Sequence, residues 1–314
     1  MIDVVPRQQI VIVTPVYEDL DSLQQLIDEV HRIPSLSAHV VVVDDGSVRQ
    51  PVELESLNTS HANSLTVIQL SRNMGHQRAI AVGLCYVVEK IPETAVVVMD
   101  ADGEDPPAAI PLLADALSAK DADIVVARRR KRQEGLVFQV FYGIYKLCFL
   151  LLTGKSITHG NFMAISPSAA RRLASMSELW VHLAATVLAS RLRRHEVTVD
   201  RGKRYCGMSK MNFISLALHG LRAVTIFVDD VLVRVGTFCS VGAVSCFLAA
   251  VTAIFLKIVG FATPGWFSIA LGILVILMLQ MGFLALSTLL LSGVLRGALV
   301  EPPRYGKFVS SIET

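Results

Sequence analysis

The sequence contains few cysteines, and none of them has the spacing of a metal ligand pair. Five cysteines are scattered over 314 residues, the number is odd, and no C-x-x-C pair occurs. This usage argues against a disulfide framework and against structural zinc. The first residues lack a basic start followed by a long apolar stretch, so we expect no signal peptide and a main domain that stays in the reducing cytosol.

Three binding signatures are also missing. No G-x-G-x-x-G turn follows the first predicted strand, which argues against a dinucleotide-binding Rossmann enzyme. The tripeptide Gly154-Lys155-Ser156 has the ending of a P-loop, but Phe149 stands where that loop requires its first glycine. The basic clusters are accompanied by no recognised nucleic-acid module and no interleaved aromatic residues, so we expect no nucleic-acid partner.

Charge is absent from most of the last third of the chain. Residues 235–256 and residues 258–295 contain no charged side chain, and about 20 apolar residues are enough for a helix to cross a bilayer. Cations flank this region on both sides, whereas the loop at 259–267 carries none. The positive-inside rule therefore predicts a multi-pass protein of the cell (inner) membrane with its main domain and both termini in the cytoplasm.

This pattern divides the chain into four predicted parts. Residues 1–210 form the cytosolic domain, within which the apolar stretch 136–153 is interpreted as an interfacial helix or, alternatively, a plain core helix. The remaining parts are amphipathic juxtamembrane helices over 211–233, two transmembrane helices over 234–295 with a short loop near 258–266, and a cytosolic tail over 296–314.

Short apolar runs that end in polar clusters alternate with helical patterns through the first domain. The candidate strands cover residues 9–14, 40–43, 65–70, 96–99 and 124–127. This alternation predicts an α/β domain with a mainly parallel sheet. Because the carboxyl ends of parallel strands face one crevice, the polar clusters predict a single site there.

The most informative of these clusters follows the fourth strand, in the stretch VVVMDADGEDPP at residues 96–107. Asp100, Asp102 and Glu104 come directly after the apolar run, and Gly103 and two prolines end it. Acids at i and i+2 can hold one Mg²⁺ or Mn²⁺ together with a substrate diphosphate. The alternative is a solvated acidic turn.

Two basic clusters, at 128–132 and 191–210, are interpreted as facing anionic headgroups or a phosphorylated substrate. A solvated basic face is the alternative.

Several ordered motifs resemble those of family 2 glycosyltransferases in their polyprenyl-phosphate branch. Residues 13–19 (VTPVYED) resemble V-P-x-Y-N-E, residues 43–47 match V-D-D-G-S, and residues 71–75 match S-R-N-x-G. Residues 100–107 resemble D-A-D-L-Q-x-P-P, and residues 204–210 match R-x-x-G-x-S-K. The layout is similar to that of dolichol-phosphate mannose synthases, bactoprenol glucosyltransferases and undecaprenyl-phosphate aminoarabinose transferases. The resemblance implies a GT-A nucleotide-diphospho-sugar transferase domain.

The resemblance also implies roles for individual residues. The nucleotide would be bound by Pro15, Tyr17, Asp19, Asp45, Asp100, Ala101 and Ser209. A Mg²⁺ or Mn²⁺ cofactor would be held by Asp102 and Glu104, and the catalytic residues would be Asp102, Arg204 and Lys210. The phosphate of the lipid acceptor would be held by Arg128, Arg130 and Arg132.

The chain departs from this family pattern at three places. Glu18-Asp19 replaces Asn-Glu, Glu104 replaces Gln, and Asn161 stands where the family often has an Asp that is sometimes credited as a base. Because an amide cannot accept a proton in that role, no catalytic base is assigned. The extra negative charge of Glu104 is expected to increase the affinity for the metal ion.

The resemblance implies inverting, metal-dependent transfer of a sugar from a nucleotide-sugar donor to polyprenyl (undecaprenyl or dolichyl) phosphate at the membrane, and a homotetramer. Two alternatives are kept. One is a polysaccharide synthase, although the Q-x-x-R-W motif of those enzymes is absent. The other is an inactive membrane-bound scaffold that binds nucleotide sugars, an interpretation that Asn161 keeps open.

Overall fold

The computed structural model describes residues 8–57, 64–119, 121–129, 136–206, 213–261, 265–297 and 302–314. The chain divides into two compact units. The first contains Met1–Gln139, Ile157–Ile226 and Glu301–Thr314, and the second contains Val140–Ser156 and Phe227–Val300.

The first unit is built on one sheet. In chain order its described strands are β1 (Gln8–Val16), β2 (Leu36–Asp44), β3 (Leu65–Leu70), β4 (Ala95–Val98), β5 (Ile124–Arg129), β6 (Met163–Ile165), β7 (Arg194–Val199) and β8 (Val309–Glu313). Their order across the sheet is β7-β5-β6-β4-β1-β2-β3-β8. Neighbours pair in parallel except that β6 runs antiparallel to β4 and β5, and β8 antiparallel to β3. The prediction of a mainly parallel sheet is confirmed.

The position of β1 explains where a ligand crevice forms. It pairs with β2 on one side and with β4 on the other, so the direction in which strands are added reverses there. Open α/β sheets bind ligands outside the carboxyl ends of the strands at such a reversal. The chain leaves β1, β2 and β4 at the residues that the sequence predicted to be polar and functional.

Helices cover both faces of this sheet. One face is covered by α1 (Leu20–His31) and α3 (Ile110–Ala119), the other by α2 (His76–Lys90), α5 (Pro167–Ala174) and α6 (Leu183–Ala189). Alternation along β1 sends Ile12 to the first core and Val13 to the second, as the two-residue period of a strand requires. A sheet covered on both faces needs strands that are apolar throughout, which is why they appear as continuous apolar runs.

The remaining helices are α4 (Leu136–Thr153), α7 (Phe213–Thr225), α8 (Val228–Ile258) and α9 (Trp266–Gly297). Within the second unit, α8 and α9 pack side by side, with Gly236 of α8 next to Thr288 of α9. By length and composition, both helices are long and apolar enough to cross a membrane. This confirms the predicted pair of apolar helices.

The carboxyl-terminal residues differ from the prediction. The sequence predicted a tail over 296–314, whereas α9 continues to Gly297 and Val309–Glu313 forms β8 at the edge of the sheet. The Leu54 N–H donates to a Glu313 carboxylate oxygen at 2.8 Å, and the Ser311 hydroxyl donates to Gln69 Oε1 at 2.9 Å. A five-residue strand with two serines has no apolar run, so its pattern did not predict a strand.

The juxtamembrane stretch predicted over 211–233 contains α7, which ends at Thr225, and the start of α8 at Val228. The helix that contains the uncharged run from residue 235 therefore begins seven residues before that run. In α4, Phe149 is buried beside Phe227, with ring centroids 5.9 Å apart. Ile144, Leu147 and Leu151 are exposed, so this helix buries only part of its apolar surface within the chain.

Candidate functional site

The carboxylate of Asp45, just after β2, holds the loop that precedes α2. Its two oxygens accept hydrogen bonds from the backbone N–H groups of Met74 (2.7 Å) and Gly75 (2.9 Å). Burial raises the pKa of Asp45, and the two N–H donors partly oppose that rise. Asp45 therefore ties the end of β2 to the start of α2, at the crevice where the sequence predicted a nucleotide-binding residue.

Glu18, just after β1, fixes the next turn of the chain. Its backbone has φ +49°, and its carboxylate accepts hydrogen bonds from the N–H groups of Val48, Arg49 and Gln50 at 2.9–3.2 Å. These backbone donors lower the pKa of Glu18. The neighbouring Asp19 begins α1 without a side-chain capping bond. The departure from Asn-Glu to Glu-Asp thus gives residue 18 a structural task.

Residues 100–105 form the acidic loop after β4. The Glu104 N–H donates to Asp102 Oδ1 at 3.0 Å, and the Asp100 N–H donates to Asp105 Oδ2 at 3.1 Å. Gly103 has φ +84°, a conformation that favours glycine. The loop is therefore a closed turn whose side chains are held in fixed positions, unlike a solvated acidic turn.

Three arginines surround this loop. Arg129, at the end of β5, donates to Asp105 Oδ1 at 2.7 Å and to Glu104 Oε2 at 3.3 Å. Arg201 Nη2 lies 2.5 Å from Glu104 Oε1. Arg204 Nη2 lies 3.1 Å from Asp102 Oδ2, and its Nη1 lies 3.6 Å from Glu104 Oε1. The structure thus brings together two residues predicted as catalytic, Asp102 and Arg204.

A second polar chain reaches the loop from the opposite face of the sheet. The Leu183 N–H donates to Gln77 Oε1 at 2.7 Å, and Gln77 Nε2 donates to Asn161 Oδ1 at 3.3 Å. Asn161 Nδ2 lies 3.2 Å from His76 Nε2, which lies 3.1 Å from Asp100 Oδ1. Desolvation would lower the pKa of His76, but the carboxylates, Asp100 first, raise it above its ordinary value. Asn161 therefore contacts His76, and His76 in turn contacts Asp100 of the acidic loop.

The two acids predicted as metal ligands differ in their electrostatics. Burial raises the pKa of Asp102, and the neighbouring carboxylates Asp100 and Glu104 add to that rise. For Glu104 burial also acts upward, but Arg201, Arg129 and Arg204 outweigh it and lower the pKa. Glu104 is thus a carboxylate already neutralised by arginines, whereas Asp102 has one arginine partner among the described residues.

The fit of a divalent cation follows from these partners. Among the residues that the structure describes, no group of three or more His, Cys, Asp or Glu side chains is placed to hold a metal ion. Mg²⁺ in phosphate-binding sites is commonly held by one or two carboxylates plus substrate phosphates. Asp102 fits that requirement as a single carboxylate, whereas both oxygens of Glu104 face guanidinium groups.

The predicted acceptor arginines are placed only in part. Arg128 lies 3.5 Å from Glu196 of β7 and is 60% exposed, whereas Arg129 points to the acidic loop. Ser209, Lys210, Arg130 and Arg132 lie outside the described residues. Sequence reasoning missed Arg129, although strand alternation gives its signal: it shares a face with Val125 and Ala127, which pack in the same core as Ala101. For Arg201 and His76 no spacing rule gave a signal.

Comparison with known proteins identifies a protein family that matches more than half of the chain. The family model described as "Glycosyl transferase family 2" matches residues 11–180. An undecaprenyl-phosphate 4-deoxy-4-formamido-L-arabinose transferase from Salmonella choleraesuis (strain SC-B67) is 31% identical over 225 residues, which cover 69% of this chain and 66% of the relative. The protein of the same name from Yersinia pestis (strain Pestoides F) is 29% identical over 220 residues, covering 67% and 65%. The chain therefore spans just under two thirds of the length of these relatives.

Solved structures show the same fold. Glucosyl-3-phosphoglycerate synthase from Mycobacterium tuberculosis, in complex with Mn²⁺, UDP-glucose and phosphoglyceric acid, matches with TM-score 0.52 and 14% identity, covering 71% of this chain and 79% of that one. A second structure of that synthase, with phosphoglyceric acid, gives TM-score 0.53 at 14% identity and covers 71% and 80%. At this identity the likeness concerns the fold alone, and it confirms the GT-A arrangement that the motifs predicted.

Proposed function

We propose, on the premise that the chain belongs to glycosyl transferase family 2, that it transfers a sugar from a nucleotide-sugar donor to polyprenyl phosphate at the cytosolic face of a membrane. The observation that carries this proposal is the pairing of Asp102 with Arg204 at the carboxyl edge of the sheet, in a chain with two helices long enough to cross a bilayer. The names of the relatives reported above specify undecaprenyl phosphate, which supports a lipid acceptor.

The donor side of the site follows from charge. In the proposed inverting reaction, an acceptor phosphate oxygen attacks the anomeric carbon from the side opposite the leaving nucleoside diphosphate. Negative charge then develops on the leaving group, where Arg204 donates hydrogen bonds and neutralises it. Asp102 would hold Mg²⁺ or Mn²⁺, which supplies Lewis-acid stabilisation of a diphosphate when bound. The Mn²⁺ in the structural relative named above supports that assignment.

The acceptor side does not need a strong base. A phosphate monoester has its second pKa near ~6, so polyprenyl phosphate is largely dianionic at neutral pH. Such a nucleophile needs to be held in line and partly neutralised, which the basic residues Arg128, Arg130 and Arg132 would do. The reaction therefore does not require a base at residue 161, where the chain has an amide that accepts a hydrogen bond from Gln77.

The membrane arrangement completes the proposal. With α8 and α9 as the two transmembrane helices, both termini and the catalytic domain lie in the cytoplasm. The exposed apolar side of α4, with Ile144, Leu147 and Leu151, suits an interfacial helix. A homotetramer, which the resemblance implies, remains a prediction.

The proposal is tested by identifying the product. The purified full-length chain is incubated in detergent with undecaprenyl phosphate, a panel of UDP- and GDP-sugars, and Mg²⁺ or Mn²⁺, and the lipid fraction is analysed by mass spectrometry. We expect one donor to yield a glycosyl phosphoryl lipid. A polymeric product would favour the polysaccharide synthase, and binding of a nucleotide sugar without any transfer would favour the inactive scaffold.

A further inference from the structure

We propose that Glu104 is not a ligand of the divalent cation in this chain, but anchors a strap, residues 201–205, over the acidic loop with Arg201 as its partner. The inference rests on the proposed function, because it concerns how the donor diphosphate site is assembled. It makes Glu104 and Arg201 positioning residues that act through Arg204.

The first argument is the number of cations on one carboxylate. Glu104 Oε1 faces Arg201 at 2.5 Å and Arg204 at 3.6 Å, and Oε2 accepts from Arg129 at 3.3 Å. A bound Mg²⁺ lies only about 2.1 Å from its oxygen ligands. It would have to displace a guanidinium group and would lie beside the remaining positive charges. Asp102 faces a single guanidinium group in the described part of the chain, and so remains the better ligand.

The second argument is that the strap is joined to the acidic loop through the backbone. The Gly202 N–H donates to the Glu104 carbonyl at 3.0 Å, and the Tyr205 N–H donates to the Asp102 carbonyl at 2.9 Å. The two segments touch at Gly103, where a Cβ would lie 2.8 Å from the Lys203 carbonyl oxygen and from the Tyr205 ring. Contact this close requires glycine in the loop.

The third argument is what this contact positions. Arg204 lies inside the strap, between the two backbone hydrogen bonds, and reaches Asp102 at 3.1 Å. The far end of the strap is held by Tyr205, whose hydroxyl donates to Glu29 at 2.7 Å. Arg201 lies outside the R-x-x-G-x-S-K pattern that begins at Arg204, and Glu104 stands where the related pattern has Gln. Glu104 and Arg201 compensate each other in charge and hold Arg204 in place.

Cation binding gives the first test. Mn²⁺ binding to the full-length chain in detergent is titrated by electron paramagnetic resonance of the free ion, in the presence of UDP and, in parallel, GDP. We expect Asp102→Asn to weaken Mn²⁺ binding about tenfold or more, the loss typical of a charged metal ligand or its close partner. Glu104→Ala, which removes both side-chain oxygens that could bind the cation, should stay within about threefold of the unchanged chain. A loss in Glu104→Ala equal to that in Asp102→Asn would overturn the proposal.

Hydrogen exchange gives the second test, because it reports on the strap itself. In Glu104→Gln and in Arg201→Gln, we expect the Gly202 and Tyr205 amides to exchange about tenfold faster, since each change removes a charge-assisted contact. The double variant should exchange no faster than Glu104→Gln alone, because that change already removes the carboxylate charge with which Arg201 pairs. Arg201→Lys, which keeps the charge, should restore part of the protection.

The matched control for exchange is Arg193→Gln. Arg193 pairs with Asp121 and Asp123 and makes no contact with the acidic loop among the described residues. Equal exchange at Gly202 and Tyr205 in Arg193→Gln and Arg201→Gln would overturn the anchoring role. Neither measurement uses sugar transfer, so a chain that transfers no sugar would refute the proposed function and leave both results interpretable.

Discussion

Replacing Arg129 with methionine should destabilise the first unit more than the same change at Arg128. Arg129 donates to Asp105 at 2.7 Å, and the Asp105 side chain is only 2% exposed. Methionine keeps the length and apolar stem of arginine but leaves Asp105 as a buried carboxylate without its cation. The Asp100 N–H remains its hydrogen-bond donor.

The size of the effect follows from burial. Removing one partner of a buried ion pair costs about 3–5 kcal/mol, and because Arg129 is itself 30% exposed, solvent screening reduces the expected cost to about 2–3 kcal/mol. For a domain of this size that corresponds to a fall in apparent Tm of about 4–12 °C. The matched control is Arg128→Met, which removes a 60% exposed arginine 3.5 Å from Glu196 and should cost less than about 1 kcal/mol.

The pH dependence gives the prediction its sign. Burial raises the pKa of Asp105 above its ordinary value, and the nearby Asp100 adds to that rise while Arg129 opposes it. In Arg129→Met the opposing cation is gone, so the folded-state pKa rises further above the unfolded value of about 3.9. A carboxyl group whose pKa is higher in the folded state binds more protons when the protein is folded. The destabilisation that the charged Asp105 causes at neutral pH is therefore lost as the pH falls and the group becomes protonated.

The assay is thermal unfolding of the purified chain in detergent between pH 7.5 and pH 5. The difference in Tm between Arg129→Met and the unchanged chain should narrow towards the acid end, and Asp105→Asn added to Arg129→Met should recover much of the loss. A difference that matches the Arg128→Met control, or that does not change with pH, would refute the reasoning.

Four further outcomes are expected. Asp102→Asn should reduce sugar transfer at least 100-fold if Asp102 holds the metal-bound diphosphate, and unchanged transfer would remove the acidic loop from the mechanism. Replacing the three proposed acceptor arginines together (Arg128, Arg130 and Arg132) should raise the KM for polyprenyl phosphate more than the KM for the donor. An equal effect on both KM values would contradict their role. A tag inserted near Thr263 should be labelled from outside the cytosol, whereas a cytosolic tag would overturn the topology. Ending the chain after Pro303 should lower the Tm, because it removes β8 from the edge of β3.

Much of the fold could be predicted because a parallel sheet leaves a strong pattern. Strands buried on both faces are apolar throughout, and β3 (Leu65–Leu70) was predicted with the bounds that the structure shows. The pattern failed at the edge of the sheet and for strand direction. Nothing in it shows that β6 runs antiparallel, and β8 pairs with a strand about 240 residues away. Local spacing contains no information about such a distant partner.

The candidate site shows the same division. The positions of Asp45 and Asp102 at the carboxyl edge of the sheet could be predicted because each lies in the loop after a strand whose carboxyl end faces the crevice. Arg128 and Arg129 are chemically identical neighbours at the end of β5, but their side chains leave opposite faces of the strand, so that Arg128 contacts Glu196 and Arg129 contacts Asp105. Which of the two reaches the acidic loop depends on the exact alternation at the strand end. The contact of Arg201 with Glu104 joins residues almost one hundred positions apart. The three-dimensional structure was needed to pair these charges.

The paired charges also bear on the form in which a donor binds. In the described part of the chain, three carboxylates of the acidic loop, Asp102, Glu104 and Asp105, pair with three arginines, and the fourth, Asp100, pairs with His76. A bare nucleoside diphosphate would add negative charge to a loop whose arginines already have partners, so its repulsion by the loop would offset much of what Arg204 contributes. A diphosphate that carries a divalent cation brings its own compensation, and its approach to Asp102 is then favourable. We therefore expect the affinity for UDP or GDP, measured by calorimetry, to fall about tenfold or more when Mg²⁺ and Mn²⁺ are removed with EDTA. Equal affinity with and without the metal would show that the arginines leave the carboxylates when the nucleotide binds.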